Sequence, residues 1–467
     1  MISVRERIAH LPAEQREKFA VLVRAIPVRL RYGPAYRRTR RDILKAHSVP
    51  FWGQEERRRQ LIKLLSVAAS TEYYGEHFDY VALKSFDPQV DDPFTVLAQL
   101  PVLTRAALSA NTELMIAPAS RSTVELVASS GTSGSPILFH LDKARGAGEW
   151  AYVQNAWEQD TGYQLDDWRL FLRGAVEFDE SKDHLVQATT GEVVLRIQAL
   201  SPEKIREHWK LVTDRSIRYI HGYPASIDYM ARLLETHLPD DDWRYQVKGI
   251  LAVSEEYTPA QAETFRRVFP NAKVSNFYGL SERTVFAPMD REWVFHPEPL
   301  YGITEILKAD GSPAQVGERG RIVTTGLRLM GHPFLRYDTG DSAEVVGFNT
   351  WGEPTFKDIK ARRGREGLVR ADGTLFPTTP LNVHGHQFLC VNRFRFRQDE
   401  PGKVALMVEP SARATSEDLK DFYTTMVSRT KDQVELSFEV VDRLQVPPGG
   451  KARLVDQNID GVVSTWA

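Results

Sequence analysis

The sequence predicts an α/β fold: a large N-terminal domain with mostly parallel sheets plus a β-rich subdomain, and a small mobile α+β C-terminal domain. Three observations predict it. Between residues 218 and 279, apolar strand-like runs alternate with amphipathic helix patterns, the signature of a sheet covered by helices. After Tyr301 the texture turns β-rich, with runs separated by Gly, Asp and Pro. The C-terminal residues then carry a β/α pattern of their own. At 467 residues the chain is too long for one ordinary core. The expected boundaries are 1–365 and 366–467.

Taken in order, residues 1 to about 110 read as mainly helical, with stretches such as "FWGQEERRRQLIKLLSVAAS" and the helix start "LTRAAL" after Pro101. Within them, "RLRYGPAYRRTRRDILK" (29–45) gathers Arg29, Arg31, Arg37, Arg38, Arg40, Arg41 and Lys45 around Gly33-Pro34. Such a run is ordinarily a solvated face; contact with an acidic partner, membrane lipid or a phosphorylated substrate is the alternative. From Thr123 the texture changes. "VELVAS" and "PILFH" are β-favouring runs flanking "SSGTSGSP" (129–136), so this Gly/Ser stretch is expected to be a tight strand-to-strand connection rather than a linker.

The strands "RYIHGY" (218–223), "VKGILAVS" (247–254) and "AKVSNFYG" (272–279) then alternate with the helices "PASIDYMARLLETHL" and "TPAQAETFRRVF". Ligands of such sheets sit beyond the carboxyl ends of the strands, where "HGYP" and "FYGLSE" fall. The β-rich part holds "YGITEIL", "GRIVTTGL" and "AEVVGF". The C-terminal part holds strands around "RFRFR" and "VALMVEP" joined by "DEPG", a helix from Ser416, and the strand "VELSFEVV".

Composition narrows the function. The formal net charge is −2, so nothing global argues for nucleic acid. A single cysteine, Cys390, excludes an intramolecular disulfide framework and disfavours a thiolate zinc site. The N-terminus "MISVRERIAHLPAEQREKF" lacks the apolar core of a signal peptide, and no stretch approaches the ~18 apolar residues of a spanning helix. A cytoplasmic protein with no transmembrane segment is expected.

Four segments carry chemistry. Ser129 to Ser135 combine glycines, which let backbone N–H groups converge, with hydroxyls that donate to an anion. In "FYGLSERTVF", Tyr278 could stack on a base, and Glu282 could hold Mg2+ together with phosphate oxygens. In "PFLRYDTGDSAEVV", Asp341 follows a Thr-Gly turn and could accept from two ribose hydroxyls. "ARRGREG" and "PPGGKARLV" place Arg365 and Lys451 in loops. Each segment alone also reads as an ordinary loop, a solvated glutamate, a turn aspartate or surface charge.

In this order and spacing the set resembles the adenylate-forming enzymes of the acyl-CoA synthetase superfamily, most closely the phenylacetate-CoA ligase group and its capsular polysaccharide biosynthesis-like branch. The resemblance runs through "TEYYGEHF", "LPVLTRAALSAN", "SSGTSGSP", "GYPASI", "SEEYTPAQ", "YGLSER", "YGITEIL", "GERGRIVTTGL", "RYDTGD", "GREG" and "GGKAR". It implies that Ser130, Gly131, Thr132, Ser133 and Gly134 enclose the β- and γ-phosphates of ATP. Tyr278 would stack on adenine, with Gly279 and Ser281 beside the nucleotide. Glu282 would bind Mg2+, Asp341 and Arg365 would hold the ribose, and Lys451 would reach in during adenylation. Departures are the Ser135 that ends the loop in place of a lysine, the Asp338 in place of the arginine of the "RYRTGD" pattern, and the Glu366-Gly367 that follows Arg365. Trp150, Phe171, His221 and Tyr223 are candidates for the acyl pocket.

The activity so implied is ATP-dependent ligation of a carboxylic acid through an acyl or aryl adenylate, with transfer to CoA. The alternatives are transfer to an amine of a sugar or biosynthetic intermediate without CoA, and an inactive binding subunit. Expected partners are the carboxylic acid and CoA or an amine acceptor, with homodimerisation left open.

Overall fold

The computed structural model describes residues 24, 26–76, 80–128, 137–173, 182–360, 367–373, 375–377, 381, 390–411, 414–430, 433–444 and 454–459. Over the described part of residues 1–110 the chain is mainly helical, as the sequence predicts. Helix α1 (Gly33–Ser48) and helix α2 (Pro50–Ala69) both have proline in the first turn, where the missing N–H has no intrahelical partner to lose. Only Val49 separates them, so they meet in a sharp corner. A Cβ on Gly53 would come within 3.2 Å of Ala46 Cβ, so glycine lets the two helices approach. Short helices follow, two of them with side-chain caps. Asp92 caps α3 (Pro93–Gln99) by accepting from Thr95 N, and Thr104 caps α4 (Arg105–Asn111) by accepting from Ala107 N.

Strands β1 (Val124–Ala128) and β2 (Leu138–Asp142) form an antiparallel pair in which Ala128 faces Leu138, so residues 129–136 do connect strand to strand. Helix α5 (Arg145–Thr161) leads to a six-stranded sheet. Its strands are β3 (Arg169–Arg173), β4 (His184–Gln187), β5 (Glu192–Arg196), β6 (Tyr219–Gly222), β7 (Gly249–Ala252) and β8 (Lys273–Ser275), in the order β4-β5-β3-β6-β7-β8. All pairings are parallel except that of the edge strand β4. Strands buried on both faces need apolar side chains both ways. Leu170, Leu172, Ile220 and Ile250 pack against α6 (Ile205–Thr213), α7 (Pro224–His237) and α8 (Pro259–Val268). Tyr219 and Leu251 face α1 and α5 on the other side. Strands β3, β4 and β5 were not foreseen; they are short, and β3 and β5 carry charge at their ends.

Beyond the sheet, β9 (Phe277–Gly279) pairs with β10 (Phe286–Pro288). An antiparallel four-stranded sheet follows: β11 (Ile303–Leu307), β12 (Arg319–Thr325), β13 (Tyr337–Phe348) and β14 (Pro354–Lys360), the predicted β-rich part. A Cβ on Gly302, in "YGITEIL", would lie 2.1 Å from Thr284 O, so only glycine lets the strand entry pass the "FYGLSERT" segment.

The C-terminal residues add a small pair, β15 (Gly367–Val369) with β16 (Leu375–Pro377), and a second four-stranded sheet. In that sheet the hairpin β17 (Val391–Glu400) and β18 (Lys403–Pro410) turns at "DEPG" and is flanked by parallel β19 (Glu435–Val440) and β20 (Val455–Gln457), with α9 (Ser416–Thr430) against it. Phe394, Phe396, Leu406, Phe422 and Met426 form its core with Cys390, whose thiol burial pushes upward in pKa. Ala128 and Leu138, the roots of the Gly/Ser connection, join the same apolar cluster. No helix among the described residues is long and apolar enough to cross a membrane.

Candidate active site

The motif after β8 builds one wall. Asn276 joins β8 to β9, and Tyr278 sits in β9. Burial, and then the charge of Asp341, pushes the Tyr278 phenol well above its ordinary pKa. It therefore stays a donor, and its hydroxyl donates to Asp341 Oδ2 at 2.8 Å. The ring stands edge-on to Phe295 and Phe356, which fix its plane. Gly279 is exposed, and a Cβ there would meet the Phe277 ring and Val285 O only at ordinary contact distances. Nothing described in the protein demands glycine at that point. Ser281 is half-buried in the turn that follows.

Glu282 is 6% exposed, which rules out the solvated-glutamate reading. A buried carboxylate needs donors. Tyr337, at the start of β13, supplies one: its hydroxyl donates to Glu282 Oε1 at 2.8 Å, and burial with the glutamate charge holds that phenol protonated. The next residue, Arg283, has φ 58°, a left-handed conformation rare for a side chain of its size. It is held there by helix α5, because Arg283 Nη1 donates to Glu149 Oε1 at 2.6 Å and Tyr301 Oη donates to Glu149 Oε2 at 2.8 Å.

Asp341 requires a correction. The sequence suggests a solvated turn, yet the residue lies half-buried inside β13, where the pairing with β12 slips. Arg321 faces Ser342 and Val323 faces Asp338, so Thr339 to Asp341 bulge opposite Ile322. Gly340 takes φ 81°, Thr339 Oγ1 donates to Ile322 O at 2.9 Å, and the Asp341 N–H donates to Thr339 Oγ1 at 3.1 Å. The bulge turns Asp341 toward Tyr278. Asp338 is occupied within the protein, accepting from Arg321 Nη1 at 3.1 Å and from Gly340 N at 2.9 Å.

Three of the four pocket candidates converge on the α5 face of the sheet. Phe171 and His221 face each other across β3 and β6, with ring centroids 4.2 Å apart. Trp157 lies edge-on to His221 at 4.8 Å and to Trp150 at 5.7 Å. Buried Arg169 stands over Trp150 and Trp157, with Glu192 and the Tyr163 hydroxyl as its partners. Burial, then the charges of Arg169 and Arg173, drives the His221 imidazole well below its ordinary pKa, so it is neutral. Tyr223 takes part in none of these ring contacts. It stands at the N-cap position of α7 without a side-chain capping bond, with its phenol pushed up to about 12 by burial and then by Glu255.

Ser130, Gly131, Thr132, Ser133, Gly134, Arg365 and Lys451 lie outside the described residues. Sequence reasoning overlooked Tyr337, although it stands inside "RYDTGD", because a tyrosine in a strand reads as core. It also overlooked Glu149, Arg169 and Asn276. The Asn276 amide nitrogen is buried with no partner among the described residues, two positions before Tyr278. Only that spacing could have pointed to it.

No family model matches the chain, and no curated protein matches it. Among solved structures it is similar to 2-hydroxyisobutyryl-CoA ligase, caught with 2-HIB-AMP and CoA in the thioesterification state. The overlay has a TM-score of 0.50 at 15% identity and covers 86% of this chain and 90% of that one. MbtA of Mycobacterium smegmatis is similar over 70% of this chain and 63% of its own, with 15% identity and a TM-score of 0.34. The first of these likenesses establishes a shared fold.

Proposed function

We propose that the protein is an ATP-dependent carboxylate ligase that forms an acyl or aryl adenylate and passes the acyl group to CoA. The observation that carries this reading is the pair of hydrogen bonds from Tyr278 to Asp341 and from Tyr337 to Glu282, which ties "FYGLSER" to "RYDTGD". Two carboxylates from distant segments are thereby held by neutral phenols, which leaves their negative charge available. The shared fold with a ligase crystallised with an acyl adenylate and CoA agrees with the reading.

In this reading Asp341 accepts the ribose hydroxyls while the Tyr278 hydroxyl fixes its orientation. The Tyr278 ring borders the adenine, Gly279 leaves room for close approach, and Ser281 lies beside the nucleotide. Glu282 would hold Mg2+. No cluster of three metal-ligating side chains exists among the described residues, which fits an ion whose remaining ligands are phosphate oxygens and water. The bound ion would neutralise the phosphates. Residues 130–134 would enclose those phosphates, Arg365 would assist at the ribose, and Lys451 would offset charge from a C-terminal domain spanning 366–467. The substrate carboxylate forms a bond to the α-phosphorus as pyrophosphate leaves; the CoA sulfur then bonds the acyl carbon as AMP leaves. The Trp150, Phe171 and His221 rings, with His221 uncharged, suit an aromatic or apolar acyl group.

The test is exchange of labelled pyrophosphate into ATP across a panel of aryl and alkyl acids, each with and without CoA. Exchange with at least one acid is expected, and Glu282→Gln should reduce it at least about a hundredfold by removing the charged metal ligand. Full exchange in that variant would remove Glu282 from the site. Exchange that leads to an amide with a supplied amine, and to no thioester, would replace CoA as the acceptor.

A further inference from the structure

The basic stretch found in the sequence takes no part in the proposed site. Two of its cations are used internally: Arg31 pairs with Asp166, and Arg40 with Glu158. The rest of α1 is sharply divided. Tyr36, Thr39, Ile43 and Ala46 are buried, while Arg37, Arg38, Arg41 and Lys45 are exposed along one face at helical spacing. Acidic side chains near this face are few. Asp42 sits against Arg41 at 2.9 Å, Glu56 on α2 is paired with Arg59 and also feels the charge of Lys45, and Glu55 is exposed one position before it.

At the end of the same face the chain turns the corner into α2 and presents apolar side chains to solvent. Phe51 is 73% exposed, Val49 46% and Leu44 45%. The corner is closely packed: Gly53 closes against Ala46, and Lys45 Nζ rests 4.2 Å from the Trp52 ring centroid. A row of cations ending in an exposed phenylalanine matches an interface that is anionic at its surface and apolar just beneath. Phosphate-backbone binding has no use for the apolar tip.

We propose that the α1–α2 corner docks the protein on an anionic lipid surface, with Phe51 entering the acyl boundary and the α1 cations against the headgroups. This is independent of the ligase reading. The test is co-sedimentation of the full chain with phosphatidylcholine vesicles with and without phosphatidylserine. Binding to the phosphatidylserine vesicles alone is expected, and it should weaken with added salt. Replacing Arg37, Arg38, Arg41 and Lys45 together by Gln should lower the partition coefficient at least about a hundredfold, at about fivefold per charge. Phe51→Ser should lower it about tenfold. Phe51 is exposed, so Phe51→Ser should keep the wild-type melting transition, and the charge variant should shift it only through loss of the Lys45–Trp52 and Arg41–Asp42 contacts. Absence of binding, equal binding to both vesicle types, or full vesicle binding by Phe51→Ser would overturn the proposal. Wild-type binding to heparin or an acidic protein, with none to vesicles, would overturn it in favour of a polyanionic partner.

Discussion

A carboxylate in the interior is only as useful as the donors that orient it, and Glu282 depends on Tyr337 for one. Tyr337→Phe removes the hydroxyl with little change of shape. It should cost about 1.5–3 kcal/mol in urea unfolding, the range for a bond to a charged group, and should raise the ATP requirement. Wild-type values for both would show that Glu282 needs no such support. A second residue carries a pH dependence. Burial raises Asp160 from the ordinary 3.8 to about 6, against the hydrogen bond from Ser275 Oγ at 2.5 Å and the charge of Arg291. The folded protein therefore binds this proton more tightly than the unfolded chain. Its stabilising contribution is full below about pH 4 and is lost as pH rises through about 6. Asp160→Asn lacks that loss, so relative to wild type it should gain about 1–3 kcal/mol across this window. Parallel urea midpoints for the two proteins from acid to neutral pH would sink the assignment.

At the scale of elements, legibility followed local chemistry. Helix α8 was readable because "TPAQ" carries its own start: Thr258 and Gln261 form a reciprocal capping box ahead of Pro259. Thr258→Ala should cost about 1 kcal/mol in the same unfolding assay, and an unchanged midpoint would show that the proline alone sets the helix start. Strands β3 and β5 were hidden for the opposite reason. Their stabilising pair, Arg169 facing Glu192 in register, is invisible until the strands are side by side, and in sequence both look like solvent-facing charge. The β13 bulge was hidden likewise. "DTGD" reads as a turn from its residues, and only the slipped pairing with β12 makes it a bend within a strand that aims Asp341 at Tyr278. In the candidate site the motif residues were therefore legible, while the side chains that hold them, Tyr337 and Glu149, were not.

For the whole molecule, the alternation that predicts a covered parallel sheet, and the separate C-terminal pattern, both correspond to packed bodies with their own apolar clusters. What composition could not convey is that the C-terminal cluster also takes in Ala128 and Leu138, the two roots of the Gly/Ser connection. Any swing of the C-terminal part away from β1 and β2 would expose that shared cluster. Cys390 lies within it, 5% exposed, and is the chain's single thiol. Every molecule thus contains one chemical clock, readable without engineering: a chromogenic disulfide reagent can reach this sulfur only when the cluster opens. Its reaction should be at least about a hundredfold slower in the native protein than in urea-unfolded chains. Rapid stoichiometric release of chromophore from the native protein would mean that this cluster opens freely.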